Sequence, residues 1–363
     1  AIVRRFGYMR TAAIALVMMT VGCLLFVPAS ASGTFGLFLF ALFVLAAGIT
    51  TVQVVANPLI SLLGPPRTAH SRLTFAQAFN SLGTTVFPYV GSMLLLGALP
   101  KIDMGQLSDA ALQAYRSQES KVVVHTYLGL AVALMLVAAL VWTRRNRLPR
   151  VPVERSNILK AFDLLGQPRF GFGALCIFLY VGAEVAIGSL IVNYLMQSNT
   201  LGLAQQAAGT LVPFYWGGAM IGRFAGAWLL RIYSPGKVLA SVATGTMTLI
   251  LISANSLGAI SGYALLAIGL MNSIMFPTIF TLANEGLGRR AAEGSGVICV
   301  AIVGGAVIPP LTGHLADLEN LRFALLLPAL CYAVIMLFGI YARRPANKAY
   351  GPAVAAQPRG QYP

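Results

Sequence analysis

The chain has 363 residues, of which 58% are hydrophobic and only 10% charged, and its mean hydropathy is +0.79. A soluble domain carries about 25% charged residues and needs that polar surface to cover its core, so a soluble enzyme, a disordered chain and a disulfide scaffold are excluded and a polytopic membrane protein remains. The net charge of +15 therefore has to be placed relative to a bilayer before it says anything about partners.

A helix needs about 20 apolar residues to cross a bilayer. In chain order the stretches that qualify lie near residues 11–31, 36–62, 74–98 and 122–143, then 169–196, 205–230, 236–255, 259–283, 293–316 and 322–342. Ten spans are expected. The loops between them alternate in charge. Arg4, Arg5 and Arg10 precede the first span, Arg67 and Arg72 follow the second, and Arg144, Arg145, Arg147, Arg150, Arg155 and Lys160 follow the fourth. Later loops of the same set hold Arg231 and Lys237, then Arg289 and Arg290, then Arg343 and Arg344. In all, 21 of the 25 basic residues fall on this side, beside only Glu154, Asp163, Glu285 and Glu293. Basic residues mark cytoplasmic loops, so both visible ends are expected in the cytoplasm, and the charge implies no nucleic acid. The basic, Pro-containing stretch 144–168 reads as a cytosolic linker. It separates a four-span bundle at 1–143 from a six-helix bundle at 169–342, with a cytosolic tail at 343–363.

The two halves repeat. Gln53 aligns with Asn272, Pro58 with Pro277, Pro88 with Pro309 and Gly91 with Gly313. By this symmetry the span at 36–62 matches the fourth span after the linker, although it is only the second one visible. Two helices are therefore expected to precede the chain, which would make these ten of twelve.

Polar groups inside spans are the candidate functional residues, because a charge at the bilayer centre costs about 2.5–3.5 kcal/mol on insertion scales. Glu184 is the one acidic residue deep in a span, with Tyr180 and Gly188 on the same helical face. It either accepts a hydrogen bond from a substrate or holds a proton or cation; the bland alternative is a protonated side chain tying two helices together. Gln53 and Asn57 sit at i and i+4, and Gln77 and Asn80 at i and i+3. Neutral amides both donate and accept, which suits an uncharged polyhydroxylated ligand. The competing role is interhelical hydrogen bonding, worth only about 0.6 kcal/mol. Asn57 precedes Pro58, so helix-break chemistry fits it better, and Asn272 joins the candidates as the repeat partner of Gln53. Gly218, Gly222 and Gly226 recur every four residues and allow close helix approach. Arg223 in the same run either latches a gate through a helix C-terminus or loop acid, or snorkels to the interface. The four cysteines lie inside apolar spans without CxxC spacing. No nucleophilic triad, metal-ligand cluster or phosphate loop is legible, so neither an enzyme nor a cofactor is expected.

The segment QVVANPLISLLGPPRTAHSRLTFAQAFNSLGTTVFPYVGS, with FLYVGAEVAIGS, GRFAGAWLL and FPTIFTLA, resembles the major facilitator superfamily. Within it the chain is similar to the fucose/proton symporter and glucose/galactose transporter family. The resemblance implies an all-α membrane protein of two pseudo-symmetric helical bundles with a central sugar cavity and alternating access. It implies cation-coupled sugar uptake, by H+ or Na+, across the bacterial inner membrane. Gln77 and Asn80 match that family's sugar-contacting amides. The fucose branch has a carboxylate at the position of Gln53, an amide-like residue at that of Glu184 and an aromatic hydroxyl at that of Phe276. The first two departures favour the glucose/galactose branch. The expected protein is a monomeric importer of a neutral hexose, with Gln53, Gln77, Asn80, Glu184 and Asn272 contacting the sugar. Glu184 is also the ion-coupling candidate, and Arg223, Asn57 and Pro58 serve gating or structure. An exporter of drugs or metabolites is the alternative on the same fold.

Overall fold

The computed structural model describes residues 3, 6–96, 109–146 and 159–344. The centre of the expected linker, residues 97–108 between the third and fourth expected spans and the tail beyond Arg344 lie outside the described residues, as do Arg4 and Arg5. Fourteen α-helices follow in order among the described residues: α1 (Tyr8–Ser32), α2 (Phe35–Leu62), α3 (Ala69–Leu96), α4 (Asp109–Thr143), α5 (Pro168–Met196), α6 (Gln205–Gly209) and α7 (Val212–Ile232). Then come α8 (Pro235–Asn255), α9 (Gly258–Asn272), α10 (Met275–Asn284), α11 (Ala291–Ala301), α12 (Gly304–Leu318), α13 (Leu321–Ala324) and α14 (Leu326–Tyr341). No strand occurs among the described residues.

Among the described residues each of the ten expected stretches falls mainly on helix, and eight helical spans are long and apolar enough to cross a membrane. The pairs α9 with α10 and α11 with α12 each make one such span. The two helices that fall short are α3 and α7. Polar side chains lower their hydropathy: Gln77, Asn80, Ser81, Thr84 and Thr85 on α3, and Arg223 and Arg231 on α7.

Helix ends follow local chemistry. Pro168 and Pro235 open α5 and α8 at positions where the missing N–H is needed by no one. Gly33 stops α1 in the left-handed conformation, φ 61°. Asn320 caps α13 by accepting from the Phe323 N–H at 2.9 Å.

The chain forms two compact units, Ala1–Leu59 with Leu82–Pro152, and Ile60–Ser81 with Val153–Pro363. In the first unit α1 packs along α4, where Phe26 and Tyr127 stack with ring centroids 3.8 Å apart. Gly22 lets α1 approach α2, since a Cβ there would sit 2.7 Å from the Leu45 nitrogen.

In the second unit α5 is the central helix, covered by α12, α14 and α10, while α9 packs on α7 and α8. Small residues set these distances, because lipid supplies no hydrophobic force between helices and close packing must. A Cβ on Gly304 would lie 1.9 Å from the Phe178 carbonyl oxygen, and one on Gly269 would lie 2.0 Å from that of Tyr215. A polar knot ties α8 to α9: the Tyr194 hydroxyl donates to the Ser253 carbonyl at 2.8 Å, and Ser253 and Ser261 each donate to the other's carbonyl.

Replacing Gly304 by Ala forces α5 and α12 apart. Overpacking of this kind costs about 1–3 kcal/mol, so Gly304→Ala lowers the melting temperature of the detergent-solubilised protein. Gly313→Ala, on the same helix with nothing within 4 Å of its Cβ, leaves it unchanged. Equal melting of the two variants contradicts this packing.

Candidate functional site

The site begins with a proline. Pro277 has no N–H, so the Ser273 carbonyl four residues earlier loses its helical donor, and the span divides into α9 and α10 around Ser273 and Ile274. The orphaned carbonyls need donors from elsewhere, since hydrocarbon offers none. The Tyr180 hydroxyl reaches the Asn272 carbonyl at 3.0 Å from α5, and Arg223 Nε donates to the Ser273 carbonyl at 2.9 Å from α7. The glycine stripe of α7 makes the second contact possible. A Cβ on Gly218 would press the Leu270 backbone at 3.3 Å, one on Gly222 would lie 2.5 Å from Ser273 Oγ, and one on Gly226 would lie 2.0 Å from the Ile274 side chain. The repeat partner of Pro277 behaves differently: Pro58 lies inside α2, which runs unbroken from Phe35 to Leu62.

Glu184 lies one turn beyond Tyr180, and the Tyr180 hydroxyl is 2.7 Å from its Oε1. Asn272 Nδ2 donates to the Tyr215 hydroxyl at 3.0 Å, which in turn donates to the Glu184 carbonyl at 3.4 Å. Tyr180, Tyr215, Tyr332 and Asn272 are all fully buried. The Tyr332 hydroxyl on α14 faces the Asn272 side chain, whose Oδ1 is buried without a strict hydrogen-bond partner. The positive charge of Arg223 acts on Glu184, yet its guanidinium is engaged elsewhere. Nη1 donates to the Gln77 carbonyl at 3.3 Å and to Ser81 Oγ on α3.

Within the second unit the structure thus brings together Glu184, Asn272, Arg223 and the backbone of Gln77. Asn80, one turn along α3, is exposed. Gln53, Asn57 and Pro58 lie on the part of α2 that belongs to the first unit, with Asn57 and Pro58 buried. Gly188 does not border an open space beside Glu184: a Cβ there would touch the Trp216 ring at 3.2 Å. Sequence reasoning missed Tyr215, Tyr332, Ser81 and Ser273. The available signal was a tyrosine in an apolar span, whose hydroxyl needs a buried partner.

The segment 60–81 is fastened to the second unit at several further points. Arg72 first folds its turn by donating to the carbonyls of Ser61 at 2.7 Å, Pro65 at 2.9 Å and Ile60 at 3.3 Å, and to Thr68 Oγ1. Ser71 Oγ donates to the Ala227 carbonyl at 2.6 Å and accepts from Arg231 Nε at 3.1 Å. His70, ahead of the apolar stretch of α3, is hydrogen-bonded through Nδ1 to Thr281 Oγ1. Burial, and then the like charge of Arg169, push its imidazole from 6.5 down to about 4. Arg169 is itself held by the Leu282 carbonyl at 3.0 Å, the Arg344 carbonyl at 2.8 Å and the Glu285 carboxylate.

Comparison with known proteins agrees with this architecture. The Major Facilitator Superfamily model matches residues 1–301. A glucose/galactose transporter of Brucella abortus biovar 1 (strain 9-941) is 42% identical over 341 residues, covering 93% of this chain and 79% of that protein. The L-fucose-proton symporter of Escherichia coli K12 is 32% identical over 361 residues, covering 95% of this chain and 81% of that one. The crystal structure of the superfamily transporter FucP in its outward conformation superposes with a TM-score of 0.86 at 31% identity, covering 93% of this chain and 84% of that one.

Docking of 60–81 has a definite pH sign. His70 has a lower proton affinity docked than free, so docking is strongest above pH 6.5 and weakens progressively as the pH falls from there to about 4, below which the effect levels off. Hydrogen exchange of residues 69–81, corrected for intrinsic rates, is therefore faster at pH 5 than at pH 7.5, and His70→Gln removes the difference. An unchanged difference in that variant assigns the effect to another group.

Proposed function

The chain belongs to the Major Facilitator Superfamily, and on that premise we propose that it is a secondary active transporter importing a neutral hexose of the glucose or galactose type together with a coupling cation. The observation that carries this reading is the cluster around Glu184. A carboxyl group, a guanidinium, an amide and three tyrosine hydroxyls gather at a broken helix among apolar spans. Polar groups of that density are costly in a membrane and mark substrate or ion pathways. Discontinuous helices are where transporters place such sites. The 42% identity to a glucose/galactose transporter supports the sugar class, and the buried Asn272 Oδ1, which lacks a partner, suits a sugar hydroxyl as donor.

In this reading Gln77, Asn80, Glu184 and Asn272 contact sugar hydroxyls, and we assign the same role to Gln53. Glu184 also takes part in ion coupling, Arg223 in gating, and Asn57 with Pro58 shapes α2. The ten-span topology follows if α3 and α7 also cross. Their polar side chains are then the lining of a wet cavity, which lifts the hydropathy requirement for those two helices. The basic loops support a reading with both visible ends in the cytoplasm of a bacterial cell, and we take the chain to work as a monomer in the inner membrane.

A binding hexose raises the melting temperature of the purified full-length protein, by the equivalent of about 2.7 kcal/mol at one hundred times its dissociation constant. A panel of hexoses, with and without Na+ and at two pH values, identifies the sugar and the cation. Gln77→Ala and Asn80→Ala each abolish hexose uptake with expression intact, and Glu184→Gln weakens gradient-driven accumulation. Unchanged uptake kinetics in the two α3 variants remove those residues from the site.

A further inference from the structure

Glu184 has one anionic group and no ion-pair partner. The ion pairs among the described residues are Arg169–Glu285 and Arg290–Glu293. Its neighbours from every side are neutral hydroxyls or the amide, apart from one cation: Tyr180 on its own helix, Tyr215 and Arg223 on α7, Tyr332 on α14 and Asn272 on α9.

Proton counting determines what state this geometry holds. The Asn272 carbonyl can only accept, and the Tyr180 hydroxyl is the group that reaches it, at 3.0 Å. Tyr180 has a single proton to give. With that proton on the carbonyl, its oxygen faces Glu184 Oε1 at 2.7 Å with lone pairs only. Two acceptors at that distance hold together when the carboxyl carries the proton and donates it to the tyrosine oxygen. The chain of donors then runs from Glu184 to Tyr180 to the open end of α9. An uncharged Glu184 also explains why Arg223 is spent on neutral acceptors: the Ser273 carbonyl, the Gln77 carbonyl and Ser81 Oγ.

We propose that the proton on Glu184 controls the hold of Arg223 on α3. While Glu184 is protonated, Arg223 clamps α3 to the broken helix through Gln77, Ser81 and Ser273. When the carboxyl O–H bond breaks and the proton passes to water, the carboxylate becomes the strongest acceptor near the guanidinium. Arg223 then turns to it, and α3 loses the clamp. This deepens, and rests on, the reading of Glu184 as the coupling residue, and makes Arg223 the positioning residue that converts its charge into freedom of the segment 60–81.

Ala78 reports the clamp, because it lies on α3 one residue from Gln77 and is fully buried. The full-length protein carrying Ala78→Cys, in lipid vesicles without sugar or gradient, is labelled with a maleimide between pH 7 and pH 9.5, above the range in which His70 titrates. Labelling at residue 78 is read by mass spectrometry and divided by the rate in the same protein with Glu184→Gln, which cancels the pH dependence of thiol chemistry. The ratio is expected near one at pH 7 and to rise at least fivefold by pH 9.5. A ratio that stays at one across the range overturns the proposal. Where Glu184→Gln fails to fold, Ser81→Ala replaces it as the test: removing one acceptor of the clamp raises labelling at pH 7 at least twofold, and an unchanged rate overturns the proposal. A flat result leaves the transport reading standing, since hexose stabilisation tests that separately, and loss of hexose stabilisation with a rising ratio removes the sugar while keeping the clamp.

Discussion

One missing hydrogen organises the second unit. Pro277 withholds a backbone donor in a medium where every carbonyl must find one inside the protein. The remaining features follow from that shortage. α9 ends with its carbonyls turned outward, a partial negative charge that attracts cations and hydroxyl donors. Arg223 and Tyr180 supply them. A hydrogen bond from a charged donor is worth about 1.5–3 kcal/mol, against several for a carbonyl left bare in hydrocarbon. The break is therefore stable only because two other helices are built to answer it.

Bringing those donors close is a problem of backbone distance, and the glycines solve it. Gly218, Gly222 and Gly226 let α7 lie directly on Leu270, Ser273 and Ile274, while Gly269 receives the Tyr215 carbonyl from the other side. Any larger residue at these positions would move Arg223 away from Ser273. Packing and polarity are thus one design here: the small-residue stripe exists where the charged side chain has to reach across. The same guanidinium also contacts α3, so the repair of a helix defect and the attachment of the segment 60–81 share one side chain.

The sequence made some of this legible and concealed the rest for physical reasons. Glu184 stood out because an acid within an apolar stretch has few explanations, and the glycine spacing on α7 pointed to close packing, as found. The reach of Arg223 was not legible, since a long flexible side chain can snorkel or turn inward with the same local sequence. Tyr215 and Tyr332 were passed over because tyrosine is apolar enough to pass for core, and only the fold shows which hydroxyls converge. The repeat pairs Pro58 with Pro277, yet the two prolines sit in different local structures. α2 keeps its proline within one helix while the second copy breaks, where Tyr180 and Arg223 present donors to the open carbonyls. The attachment of 60–81 to the second unit crosses more than 140 residues of sequence from Ser81 to Arg223, and no periodicity encodes it.

The two helices that fall short of the apolar requirement make the remaining connection between sequence and use. α3 and α7 carry the clamp side chains Ser81 and Arg223 among the polar residues that lower their hydropathy below that of the other spans. A membrane helix tolerates such a composition when its polar face meets protein or water. Arg223, which makes α7 harder to insert, answers the backbone carbonyl that Pro277 leaves open, and Ser81 on α3 accepts from the same guanidinium.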